Sequence, residues 1–139
     1  MISPMKLIET PNNPAPDGAE IQTIKGFKGA NLRVCLTPAK GQPRGTVILF
    51  EGYTEFLEKY FETVSDLQAR GFNTIIMDWR SQGLSARKLK NPYIFYFQNF
   101  DEPVRDLIIA LDQFKERLPR PWVTVAHSMG GAIALRALL

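Results

Sequence analysis

The alternation of two kinds of apolar segment narrows the fold more than any other feature of the chain. Thr46–Phe50, Asn73–Met77 and Trp122–Ala126 are short and nearly apolar throughout, as expected of strands buried on both faces of a sheet. Between them, apolar residues recur at helical spacing. Leu57, Tyr60, Phe61, Val64 and Leu67 form one stripe, ended by Gly71; Val104, Leu107, Ile108, Leu111 and Phe114 form another, ended by Pro119. These stripes predict helices over residues 57–70 and 101–118, the second with Asp101 as N-cap ahead of Pro103. Buried strands linked by amphipathic helices build parallel βαβ units under right-handed crossovers. The three strands are therefore expected to be parallel neighbours. Upstream, residues 21–27 and 31–37 read as two more strands around Gly29-Ala30, with Leu32, Val34 and Leu36 alternating. The expected fold is α/β: a mostly parallel sheet with an N-terminal antiparallel hairpin and helices on both faces.

Residues 1–20 carry Pro4, Pro11, Pro14 and Pro16 and read as an irregular lead-in, leaving residues 21–139 for the α/β domain. With 45% hydrophobic and 22% charged residues, the composition is that of a globular protein. The net charge of +3 comes from scattered basic residues, apart from Arg87-Lys88-Leu89-Lys90, so a nucleic-acid-binding stripe is not expected. A single cysteine, Cys35, excludes an internal disulfide, and a single histidine excludes a cysteine/histidine metal cluster. No apolar stretch approaches the ~18 residues that span a membrane, and Lys6 and Glu9 interrupt any signal-peptide core. A cytoplasmic location follows as the expectation. A dinucleotide site would need a Gly-x-Gly-x-x-Gly loop after the first βα strand, where Phe50-Glu51-Gly52-Tyr53-Thr54-Glu55 offers one glycine. Neither a nucleotide nor another cofactor is expected.

Ala126-His127-Ser128-Met129-Gly130-Gly131 carries the chemistry. A serine at a sharp strand-to-helix turn, flanked by small residues, has the layout of a nucleophile elbow. There the serine backbone is strained, its hydroxyl stands clear of the sheet, and strand and helix pass so closely that only small side chains fit two positions to either side. Ala126 and Gly130 occupy those positions. The plain alternative is a glycine-rich turn opening a buried helix.

Three segments together resemble the α/β-hydrolase superfamily, in particular its lysophospholipase and monoacylglycerol-lipase-like group with a serine aminopeptidase S33 type domain. Glu51-Gly52-Tyr53-Thr54-Glu55 with Tyr60 is similar to that group's His-Gly-x-x-Glu and following tyrosine. Asp78-Trp79-Arg80-Ser81-Gln82-Gly83-Leu84-Ser85 is similar to its Asp-x-Arg-Gly-x-Gly-x-Ser loop, and the elbow to its Gly-His-Ser-Met-Gly-Gly. Glu51 and Ala126 depart from the pattern. The resemblance implies a serine hydrolase that cleaves carboxylic esters through an acyl-enzyme. Ser128 would be the nucleophile, with the backbone N–H groups of Tyr53 and Met129 as the oxyanion hole. Asp78 and Arg80 would tie down their loop, through a carboxylate–guanidinium pair or backbone hydrogen bonds.

In this fold an acid and then a histidine follow the serine along the chain, yet Met129 to Leu139 contain neither. His127 adjoins the nucleophile and points away from it, so packing or a local hydrogen bond is its expected role. The apolar helix face of Ile133, Ala134, Ala137 and Leu138 has no closing cap. The expectation is the N-terminal part of a larger hydrolase, truncated after the elbow helix and inactive alone; the competing class is a non-catalytic α/β-hydrolase-like interaction protein. Residues 92–100 hold five of the fifteen aromatic residues. They read either as rings packed under the sheet edge or as an apolar wall near the acyl site. In the second case they would also make a weak peripheral membrane contact beside Arg87, Lys88 and Lys90. A lipid-like ester, lysophospholipid or monoacylglycerol, is the substrate so implied. The oligomeric state is left open.

Overall fold

The computed structural model describes residues 5–139; the part of the lead-in that holds Pro4 lies outside the described residues. Five strands form one sheet: β1 (Glu20–Lys25), β2 (Asn31–Thr37), β3 (Thr46–Phe50), β4 (Asn73–Met77) and β5 (Trp122–Ala126), in the spatial order β1-β2-β4-β3-β5. As expected, the three apolar runs are parallel neighbours. Thr46 of β3 lies opposite Asn73 of β4 and Trp122 of β5, and Phe50 lies opposite Ala126. β1 and β2 form the antiparallel hairpin, and β2 joins the parallel part antiparallel to β4. The first strand ends at Lys25, two residues earlier than its sequence suggests. Beyond it Gly26 N–H bonds Ala30 O, and Phe27 N–H donates to the Asp106 carboxylate of the facing helix.

Three α-helices cover the sheet: α1 (Phe61–Ala69), α2 (Asp101–Phe114) and α3 (Met129–Ala137). Because strand side chains alternate between faces, Val34, Ile48, Phe50, Ile75 and Met77 form one core with α2 and α3. Cys35, Leu49 and Ile76 form the other with α1. The helical stripes need three corrections. Residues 57–60 form a 3₁₀ turn before α1, with Leu57 N–H held by Asp78 Oδ1 at 2.9 Å. Gln68, not Leu67, is the buried residue of the last α1 turn, its amide donating to the carbonyls of Asp17 and Pro38. On α2 the buried face runs through Leu107, Ala110 and Phe114 and leaves Ile108 exposed. Phe100, not Asp101, is the N-cap of α2, and the Asp101 carboxylate receives Arg136 of α3 instead.

This topology opens a crevice at one end of the sheet. Neighbouring strands β3 and β5 send their following helices, α1 and α3, to opposite faces. Loops that diverge in this way leave a gap at the carboxyl ends of the strands, where open α/β sheets bind ligands. Both segments expected to carry chemistry, residues 51–55 and 127–129, leave the sheet there.

Candidate active site

The turn between β5 and α3 is an elbow in its backbone as well as its sequence. Ser128 has φ 52° and ψ −119°, a region that non-glycine residues rarely occupy, at a cost on the order of 1–3 kcal/mol. Three hydrogen bonds hold it: His127 N–H to Phe50 O at 3.0 Å, Gly130 N–H to His127 O at 2.9 Å and Gly131 N–H to Ser128 O at 2.9 Å. Gly130 is where helix and strand nearly touch. A Cβ at that position would lie 2.6 Å from Glu51 O and 2.8 Å from Phe50 Cβ. Ser128 itself is exposed.

Met129 is the first residue of α3, so its N–H has no intrahelical partner and the positive end of the helix dipole lies beside it. Tyr53 lies on the adjoining loop after β3. Among the described residues, neither backbone N–H donates a hydrogen bond. The two loops abut, since a Cβ on Gly52 would lie 2.8 Å from His127 Nδ1. The structure thus brings Tyr53 and Ser128-Met129 to adjacent positions at the same end of the sheet.

Glu55 joins the two loops. Its Oε2 accepts from Gly52 N–H at 2.6 Å and Tyr60 Oη at 2.5 Å, and lies 3.1 Å from His127 Nδ1; its Oε1 accepts from Lys59 at 2.8 Å. Burial works against ionisation of this carboxyl. The bonds from Lys59, Tyr60, Gly52 and His127 outweigh it and hold the pKa down at about 2. Burial, reinforced by Glu55, pushes the Tyr60 phenol above its usual range, so Tyr60 acts as a donor. His127 has the local hydrogen-bonding role expected of it. Cys35 is no competing nucleophile: it is buried, and burial raises its thiol to about 11.

Behind this layer lie buried charges whose pairing the sequence did not reveal. Asp78 and Arg80 anchor their loop, but not with each other. Asp78 receives Arg33 of β2 at 2.7 Å and the N–H groups of Leu57 and Leu84; Arg80 reaches Asp106 at 2.7 Å and Glu102 at 3.5 Å on α2. Arg33 also grips Glu58 through two bonds of 2.6 and 2.8 Å. Glu51, where the resembled family has histidine, is completely buried, and its Oε1 accepts from Trp79 N–H and the Gln82 amide. Among the described residues its Oε2 has no hydrogen-bond partner. Burial, together with the neighbouring Asp78 charge, raises the Glu51 carboxyl well above the usual carboxylate range. Gln82, quoted within its motif but given no role, proves to be the side chain that touches the Tyr53 loop most often. Arg33 and Glu58 carried no sequence signal, because their partners lie 25 to 45 residues away.

The aromatic segment is not tucked under the sheet. Tyr53, Phe95, Phe97 and Phe100 form an edge-to-face ladder with centroids 4.7, 4.9 and 5.1 Å apart, while Tyr93 is 94% exposed. Lys88 lies over the Tyr96 ring, and Arg87 is engaged by the carbonyls of Gly83, Ser85 and Pro92. Among the described residues, no three His, Cys, Asp or Glu side chains converge on a point that would bind a metal, and no helix is long and apolar enough to cross a membrane.

Residues 41–139 match the model of the serine aminopeptidase, S33 family. Lysophospholipase L2 of Escherichia coli (strain K12) is 40% identical over 91 residues, covering 63% of this chain and 26% of that protein. The monoacylglycerol lipase of Mycolicibacterium smegmatis is 32% identical over 111 residues, or 80% of this chain and 38% of its own. The chain therefore spans between about a quarter and two-fifths of the length of these relatives. Among solved structures, a thermostable carboxyl esterase from Bacillus coagulans superposes with a TM-score of 0.70 over 86% of this chain and 39% of the esterase, at 20% identity, a likeness of fold.

Proposed function

The chain belongs to the serine aminopeptidase, S33 family of α/β-hydrolases, and on that premise we propose that it supplies the nucleophile half of an ester hydrolase. Ser128 attacks the ester carbonyl, and the oxyanion of the tetrahedral intermediate is received by the N–H groups of Tyr53 and Met129. The observation that carries this reading is the elbow: a serine at φ 52° with Gly130 lying against the Phe50 and Glu51 backbone. A structural turn alone does not explain why a non-glycine residue sits in a strained conformation, exposed, while the N–H groups of Met129 and of Tyr53 on the adjoining loop are unengaged among the described residues.

The proton shuttle lies outside these 139 residues. His127 is the sole histidine, and its Nδ1 faces Glu55. On this reading the acid and histidine of the triad, the lid and most of the acyl pocket are to be supplied from outside these residues. The proposed substrate is a carboxylic ester of a lipid-like alcohol, lysophospholipid or monoacylglycerol. Support comes from the activities named for the two relatives and from the aromatic ladder that begins at Tyr53. The ladder and Lys88 are also the proposed site of a weak peripheral membrane contact.

In the full-length protein, a fluorophosphonate probe should label Ser128. Ser128→Ala should abolish labelling and lower ester turnover on the order of 10⁶-fold. Retained turnover would refute the assignment. The 139-residue chain alone should hydrolyse p-nitrophenyl butyrate no faster than buffer. On a substrate panel, long-chain lysolipids and monoacylglycerols should outrank short soluble esters and aminoacyl amides; the reverse order removes the lipid assignment while leaving the hydrolase.

A further inference from the structure

We propose that Gln82 is a positioning residue for the oxyanion hole, holding the loop that presents Tyr53 N–H to the ester carbonyl; this rests on the esterase reading above. Gln82 belongs to the loop after β4, is 2% exposed, and extends across to the loop after β3. Its amide nitrogen donates to Glu51 Oε1 at 2.9 Å, Gly52 O at 3.0 Å and Glu55 O at 3.2 Å. Its Oε1 accepts from Thr54 N–H at 2.7 Å. One side chain therefore grips the residues on both sides of Tyr53. The Gly52 N–H is taken from the other side by Glu55.

The pattern of satisfied donors is what assigns the role. Gly52 N–H and Thr54 N–H, the neighbours of Tyr53 in the chain, are both occupied by side-chain oxygens. The Tyr53 N–H between them is left without a partner among the described residues. Thr54 takes φ 56°, a left-handed conformation unfavourable for a threonine, and its N–H is the group Gln82 Oε1 accepts. Releasing that bond lets the turn relax and moves the Tyr53 N–H with it. Gln82 in turn is anchored by its own backbone, with N–H donating to Trp79 O at 2.9 Å and carbonyl accepting from Ser85 N–H at 3.0 Å. The grip also gives the Glu51 carboxyl a place: its Oε1 is the acceptor for one arm of the Gln82 amide and for Trp79 N–H.

The test uses the full-length protein with p-nitrophenyl butyrate, comparing wild type with Gln82→Met, which removes both donor and acceptor, and Gln82→Glu, which keeps only the acceptor for Thr54. Gln82→Met should lower kcat roughly 10- to 100-fold with KM changed less than about threefold, since misplacing one oxyanion donor acts on the transition state alone. Gln82→Glu, whose second carboxylate oxygen would face the Glu51, Gly52 and Glu55 oxygens that the amide now donates to, should lower kcat at least as far as Gln82→Met. Affinity for an aryl boronic acid, which forms a tetrahedral adduct on the serine, should fall in proportion to kcat/KM across the series, while melting temperatures stay within a few degrees. Wild-type kcat and boronate affinity in both variants would overturn the proposal, as would a loss confined to KM. If Gln82→Met fails to fold, Gln82→Glu decides by the same two readouts. A wild-type protein whose turnover survives Ser128→Ala instead removes the esterase reading itself, a result independent of any Gln82 variant.

Discussion

Gly130 is the residue that allows Ser128 to keep its conformation. A methyl group there would meet two main-chain oxygens, Glu51 O at 2.6 Å and Phe50 O at 2.8 Å, neither of which is a flexible chain end. Gly130→Ala should cost about 1–3 kcal/mol in urea unfolding, typical of overfilling a tight site, and should lower turnover as the elbow shifts. An unchanged midpoint would mean that the helix is not pressed against the strand. Glu51 offers a second test, of opposite sign to a carboxylate held ionised by its partners. Its folded pKa lies above the ordinary 4.5, so the folded state keeps a proton that the unfolded chain releases. Its contribution is fully present below pH 4.5 and is lost as pH rises through the folded value. Glu51→Gln mimics the protonated acid and should therefore gain stability over wild type as pH increases from 5 to 9, the gap vanishing near pH 4. A gap that narrows with rising pH would show Glu51 to be ionised.

At the scale of elements, β2 is joined to β4 by its strand ladder, and one guanidinium ties it in addition to the turn before α1 and the end of β4. Arg33, 1% exposed, binds Glu58 of the turn before α1 and Asp78 at the end of β4. Arg33→Ala leaves two buried carboxylates without their cation and should cost about 3–5 kcal/mol in urea unfolding, far above the ~0–1 kcal/mol of a surface pair. The Glu55 brace between the oxyanion loop and the elbow should show itself in acid. Its folded pKa of about 2 lies below the usual 4.5, so its contribution is present above pH 4.5 and disappears as pH falls toward 2. Over that window Glu55→Gln should lose less stability than wild type. These elements mark the boundary of what the sequence could convey. β3 and β4 were legible because a strand buried on both faces is apolar at most positions, a local property; β5 carries the same apolar pattern but lies exposed at the sheet edge. Ser128 was legible because the elbow needs small neighbours at fixed offsets. Which carboxylate meets Arg33 and which meets Arg80 depends on how β2 and α2 are brought beside the β4 loop, and no spacing along the chain encodes it. Ile108 misled for a related reason: its place in the helical period is correct, but α2 turns that flank outward and buries Asp106 to hold Arg80.

For the whole molecule, β5 is the last strand of the sheet, with Val123 and Val125 47% and 42% exposed and Leu135 and Leu138 of the following helix region also uncovered. An apolar strand with free ladder groups is a template for pairing with another chain. The purified 139-residue chain should self-associate at micromolar concentration in size-exclusion chromatography, and Val123→Lys with Val125→Lys should reduce this; a monomer by light scattering would contradict it. At the opposite end of the chain, hydrogen bonds from the irregular lead-in converge on the Arg33–Glu58 pair. Lys6 O accepts from Arg33, Ile8 N–H donates to Glu58 Oε1, and the Asn13 side chain donates to Glu58 O. A short irregular run thus caps the buried Arg33–Glu58 pair, and cutting it away would admit water to charges that are otherwise dry. A protease that clips after residue 13 should therefore leave the sheet intact yet weaken the grip of β2 on the α1 turn, so residues 6–13 behave as a washer rather than a loose end.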